Sequence, residues 1–267
     1  MAIHQTAIVS QKAEIHPSVE IGPYCVIGPD VTIGENTVVG SNCFIDGITT
    51  IGKSNKLFPF VSIGCPPQDL KYSGQKTFVK IGDNNSFREY VTVHRAEGEG
   101  NSTTIANDNL FMAYGHVAHN CHVGSFNVLA NSATLAGHVH VADRATIGGF
   151  VGIHQFCHVG SMVMIGGMSK IVKDVPPFIK IDGNPARVIG LNSVGLRRNG
   201  VTKEGIEILR QVFRIFFRSE YNVSQAVEKL KNDGLAEKPY VRDLIDFIKD
   251  SHRGIYKRVR QGSNEAV

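Results

Sequence analysis

"VEIGPYCVIGPDVTIGENTVVG", residues 19 to 40, decides the fold: large aliphatic side chains recur every six positions at Ile21, Ile27, Ile33 and Val39, each followed by glycine. The same step reaches back to Ile15 and forward through Ile45, Ile51, Leu57 and Ile63. It resumes in phase at Ile81, Phe87 and Val93, and again from Ile105 through to Ile171. A period of six is neither the 3.6 of an α-helix nor the alternation of a half-buried strand. It suits a three-sided prism in which each hexapeptide forms one short strand and a turn. Three hexapeptides then complete a coil, and successive coils pair as parallel strands about 4.8 Å apart, with the aliphatics filling the interior.

The remaining composition is consistent with that core. The chain has 267 residues, 42% of them hydrophobic, enough for one long domain with an appendage. No run approaches the roughly 20 apolar residues that span a bilayer, and the N-terminus has no basic region followed by an apolar stretch. A cytoplasmic protein without stable membrane insertion is therefore expected. The net charge of +4 is modest, and no nucleic-acid partner is expected. Five cysteines, none in a C-x-x-C pair, fit a reducing compartment better than a disulfide framework or a zinc site. Cys25, Cys43, Cys121 and Cys157 each fall four positions after an aliphatic, a slot they share with Val31, Val61 and Ala133, and read as core. Cys65 is out of phase and is assigned to a loop.

Two segments interrupt the repeat, at about 65–77 ("CPPQDLKYSGQKT") and 95–104 ("RAEGEGNSTT"), with the Pro, Gly, Ser and charged residues of loops leaving a coil corner. The prism is expected over 1–186 and a helical domain over 187–267. Thr202 is a plausible N-cap, followed by the apolar stripe Ile206, Leu209, Val212, Phe213 and Phe216; further helices are expected at about 223–232 and 239–251. From Arg187 to Arg260 sixteen Lys and Arg stand against nine Asp and Glu, so the tail carries the positive excess.

The eighteen-residue coil also sorts the histidines. His119, Gly137 and Gln155 fall in one column, which places an imidazole, a glycine backbone and an amide on neighbouring coils. That suits acyl transfer, with the imidazole as general base and the glycine N–H as donor to an oxyanion; the alternative is a solvated turn histidine. His122, His140 and His158 form a second column. An in-line stack makes poor tetrahedral geometry, so a structural or subunit-facing ladder is favoured over zinc. No metal and no bound cofactor are expected.

The motifs "QDLKY", "GHVAHNCHVG", "ATLAGHV", "HQFC", "DVPPF" and "GNPARVIGLNSVGLRR", in this order and followed by a helical tail, closely resemble those of the bacterial UDP-N-acetylglucosamine O-acyltransferases, hexapeptide-repeat acyltransferases of lipid A biosynthesis. The resemblance runs essentially end to end. It implies an all-β left-handed parallel β-helix with a C-terminal α-helical domain, although the usual crossover rule favours the right hand. It further implies a cytosolic homotrimer that moves a 3-hydroxyacyl group from acyl carrier protein to the 3-position of UDP-N-acetylglucosamine, with sites between neighbouring subunits. By resemblance His119 is the general base and Gly137 the oxyanion donor. Asp69, Lys71, His94, His116, His138, His154 and Gln155 match substrate-contacting positions, Asn192 and Arg198 nucleotide-facing ones, and Gly167 the acyl-chain ruler. Three residues depart from well-known members: Asn120 stands where many have an acid, and Val194 and Asn199 replace a Glu and an Arg. Acylation of the 3-amino analogue of the sugar remains an alternative, as do a carbonic anhydrase, an acetyl-CoA-dependent acetyltransferase and a noncatalytic trimeric scaffold.

Overall fold

The computed structural model describes residues 2–256. Residues 257–267, which the sequence reading assigns to the helical tail, lie outside the described residues. Each hexapeptide contributes a short strand that buries its repeat aliphatic and exposes the residue before it, as in Glu20–Ile21 and Phe44–Ile45. Successive strands visit three sheets in turn. Among the described residues the first sheet has 11 strands, from Ala2–Ile3 to Arg187–Leu191; the second has 9, from Ile8–Val9 to Lys170–Ile171; and the third has 8, from Glu14–Ile15 to His158–Val159. Pairing is parallel and mostly eighteen residues apart, with His116 beside Thr134 and His122 beside His140. The result is the left-handed parallel β-helix, its repeat aliphatics fully buried from Ile21 to Ile171.

Most corners take one left-handed residue. Positive φ recurs in phase at Tyr90, Asn120, His138, Phe156 and Met168, among others. Asn, Asp and His tolerate this region better than bulky residues do. On the corner between the third and first sheets, buried Asn55, Asn85, Asn109 and Asn127 pass hydrogen bonds from coil to coil, each Oδ1 accepting the next backbone N–H.

Both loops leave the corner between the second and third sheets. The first follows Ser62–Cys65 and precedes Phe78–Ile81; the second follows Thr92–His94 and precedes Ser102–Ile105. The second is shorter than its composition indicated, because Ser102–Ile105 pairs in full register with Phe78–Ile81. Cys65 ends a strand instead of lying in the loop: a register shift after Ile63 pairs it with His94, which accounts for its lost phase.

The sheet also continues past residue 186. Arg187–Leu191 folds back antiparallel on Ile179–Asp182, closing the last coil. Helices follow: α1 (Ser193–Arg198), α2 (Lys203–Phe217), α3 (Val223–Asn232) and α4 (Pro239–Lys249). Thr202 Oγ1 accepts from Gly205 N–H at the start of α2, and Asn222 forms a capping box with Gln225 at the start of α3. The apolar faces of α2 and α4 meet over Pro177, Phe178 and Leu191. The chain then returns to the last coil, where buried Asp174 accepts from Ser251 Oγ at 2.6 Å.

Candidate active site

The eighteen-residue step brings His119 over Gly137. A Cβ built on Gly137 would lie 2.5 Å from both Cε1 and Nε2 of His119, so the imidazole rests on backbone that only glycine leaves open. The Gly137 N–H has no acceptor among the described residues. His119 Nδ1 lies 2.9 Å from Asn120 Oδ1, while Nε2 lies 3.8 Å from Asp69 Oδ2. Asn120 is itself fixed: its Oδ1 accepts from Glu97 N–H at 2.8 Å and its Nδ2 donates to Glu97 O at 3.0 Å. An amide oxygen that already accepts one N–H presents an acceptor to Nδ1, which assigns the ring proton to Nδ1 and the lone pair to Nε2.

Four more histidines take distinct places. His138 sits edge-on to His119 with ring centroids 5.3 Å apart and stacks on Phe156 at 4.6 Å. His116 Nδ1 is 2.7 Å from Thr92 Oγ1, and its ring meets His94 edge-on at 5.1 Å. His94 is buried with no partner for Nδ1 among the described residues. Burial lowers the pKa of His94, His116 and His138, most strongly for His116, which falls to about 4 with help from His94 and His119. Near neutral pH the His116 ring is therefore uncharged. His154 and Gln155 are exposed at the same corner, two coils from His119.

The loop carrying Asp69 and Lys71 is tied down by residues that periodicity did not single out. Arg95 Nε donates to Tyr72 Oη at 3.1 Å and its Nη1 to Gly64 O at 3.0 Å. Glu99 accepts from Lys76 N–H at 2.9 Å, joining the two loops. Asp69 accepts from Lys71 N–H at 2.8 Å. Glu97, His119 and His138 have donor atoms within 4.8 Å of one another, of types a divalent cation accepts.

Other expected residues lie farther off. Gly167 is exposed on the corner between the first and second sheets, so the second sheet separates its column from that of His119. Its φ is not in the left-handed region, and a Cβ there would meet only Gly149 O at 3.3 Å and N at 3.8 Å. Asn192 has its side chain engaged in the fold: Oδ1 caps α1 at Gly195 N–H and Nδ2 donates to Met162 O. Arg198 is exposed in the last turn of α1, Val194 is half exposed, and Asn199 caps the same helix. His122, His140 and His158 stack at 4.6 Å intervals on the outer face of the third sheet, beside Phe247 of α4.

A family described as "Udp N-acetylglucosamine O-acyltransferase; Domain 2" matches residues 174–256, and the bacterial transferase hexapeptide family matches residues 12–47. The acyl-(acyl-carrier-protein)-UDP-N-acetylglucosamine O-acyltransferase of Thermodesulfovibrio yellowstonii is 50% identical over 254 residues, 95% of this chain and 98% of the relative. The chain belongs to this O-acyltransferase family. The family member of Myxococcus xanthus is 46% identical over the same shares of both chains. Among solved structures, the UDP-N-acetylglucosamine O-acyltransferase of Moraxella catarrhalis superposes with a TM-score of 0.92 at 43% identity, covering 96% of this chain and 100% of that one. The UDP-N-acetylglucosamine acyltransferase of Arabidopsis gives 0.84 at 36%, with the same coverage. Members of the O-acyltransferase family thus share this fold along nearly the whole chain, from the prism through the helical end.

Proposed function

We propose that the chain transfers a 3-hydroxyacyl group from acyl carrier protein to the 3-hydroxyl of UDP-N-acetylglucosamine, the first step of lipid A biosynthesis. The observation that carries the mechanism is the contact of His119 Nδ1 with Asn120 Oδ1: with the proton on Nδ1, the Nε2 lone pair lies beside the Gly137 backbone. Nε2 takes the proton as the acceptor oxygen attacks the thioester carbonyl. The Gly137 N–H donates to the resulting oxyanion. Collapse expels the carrier's thiolate, which recovers the proton from the imidazolium, so the products are the sugar ester and a free thiol. No acyl-enzyme is required, and among the described residues no Cys or Ser stands in a hydrogen bond to His119.

The other expected residues have supporting roles in this reading. Asp69 and Lys71 hold the sugar from the tethered loop, with His94, His116, His138, His154 and Gln155 lining the cleft. Arg198 offers a guanidinium fork to the diphosphate. Asn192 faces the nucleotide from the start of α1, which it also caps. Gly167 leaves a groove for the acyl chain, and a homotrimer brings neighbouring prisms alongside each other's clefts.

A second reading, acylation of the 3-amino analogue, is favoured by one observation. The partner of His119 is a neutral amide, and a free amine attacks with less help from a base than a hydroxyl does. An assay offering both sugar nucleotides, each with 10- to 16-carbon acyl-carrier-protein thioesters, decides between them. Ester formation on UDP-N-acetylglucosamine supports the first reading; turnover of the amine alone replaces it with the second; turnover of neither overturns both.

A further inference from the structure

The partner that orients His119 carries no charge. An imidazole that accepts a proton becomes a cation, and a cation half-buried at a coil corner needs compensation. The titratable groups facing it are the rings of His94, His116 and His138, all lowered in pKa by burial, and two carboxylates, Asp69 and Glu97. Asp69 lies toward Nε2, on the side the acceptor must approach, and its loop is assigned to the sugar. Glu97 comes from the second loop, and its carboxylate lies within 4.8 Å of donor atoms on both His119 and His138. The Glu97 backbone is simultaneously the clamp on Asn120, donating to Oδ1 and accepting from Nδ2.

We infer that Glu97 is a positioning residue for the general base: its backbone fixes the amide that sets the His119 tautomer, and its carboxylate faces the positive charge that forms on His119 during transfer. The inference rests on the reading of His119 as the base. It goes beyond that reading in assigning the negative charge of the base's partner to a loop residue of a different coil. The carboxylate is displaced in sequence by more than one coil yet adjacent in space, while Asn120 keeps the orienting hydrogen bond and the left-handed φ of 57°. Supplying that charge also makes the neutral Asn120 compatible with a hydroxyl acceptor.

The test separates charge from clamp. Glu97→Gln keeps both backbone hydrogen bonds and removes only the carboxylate charge. In this variant the acid limb of the kcat/KM profile should move to lower pH by about half to one unit, because loss of a nearby anion favours neutral imidazole. The plateau should fall about 3- to 10-fold as the base weakens. Glu97→Asp, which keeps the charge and both backbone hydrogen bonds, should hold the limb near its original position and keep most of the rate. A folded Glu97→Gln enzyme with the wild-type limb overturns the inference, and so does a Glu97→Asp variant that shifts the limb as far as Glu97→Gln does. His119→Ala assayed alongside keeps the two levels apart: wild-type turnover there removes the base itself, and this inference with it, whereas a dead His119→Ala with an unmoved Glu97→Gln limb removes only the role of Glu97.

Discussion

A methyl group at position 137 would sit 2.5 Å from Nε2 of His119, closer than nonbonded atoms approach, and the neighbour it meets is the reacting ring. Gly137→Ala is therefore expected to fold normally and to lose at least about tenfold in kcat, since a displaced base forfeits its alignment. A rate within twofold of wild type would contradict the stacking of imidazole on glycine. Gly167 presents the opposite case, having neither a left-handed φ nor a crowded Cβ, so a side chain fits there. Each methylene buried is worth about 0.8 kcal/mol, so if Gly167 is the acyl-chain ruler, Gly167→Met should move the preferred donor toward a shorter chain. An unchanged ranking over 10-, 12-, 14- and 16-carbon donors places the ruler elsewhere. His119 and Gly137 were legible before any coordinates because they obey the eighteen-residue step. Glu97, Arg95 and Thr92 were not singled out: two lie in or at the edge of a loop with no phase, and the third is one of many strand threonines. Asn192 shows the converse, a residue matched by motif whose side chain is used by a helix cap.

The elements follow from hydrophobic phase wherever a side chain must be inside, which is why the short strands of the six-residue repeat and the apolar stripe of α2 read directly from the sequence. Boundaries failed where pairing overrode composition, at Ser102–Ile105, and where the chain reversed, at Arg187–Leu191, a hairpin that carries no six-residue signal. The ladder of His122, His140 and His158 gives this scale its own test. His140 is lowered to about 4 by burial, then by His122, His158 and His138. A lowered folded pKa means that, as pH falls from about 6.5 to about 4, the unfolded chain binds protons that the fold refuses, so stability is lost in that window and is fully present above it. Thermal unfolding followed between pH 7.5 and 4.5 should show a smaller fall in Tm for His140→Asn than for wild type. Equal falls would mean that the ladder does not resist protonation.

At the scale of the molecule, the prism sets the corners of His119 and Gly167 on either side of the second sheet, and the helical end adds positive charge. Acyl carrier proteins are acidic, so this field should steer the donor. The apparent affinity for acyl carrier protein should weaken as salt rises from 50 to 300 mM, by on the order of tenfold, whereas a salt-independent donor KM would assign the basic tail to solvation alone. Among the described residues no helix is long and apolar enough to cross a membrane. Catalysis in this reading depends on His119 removing the acceptor proton. The most direct measurement is the rate of ester formation from 3-hydroxyacyl-acyl-carrier-protein and UDP-N-acetylglucosamine by wild type and by His119→Ala, with the assembly state of both checked by sedimentation. The account predicts an unchanged assembly and a loss of at least about 10² in kcat/KM; near-normal turnover by His119→Ala would contradict it.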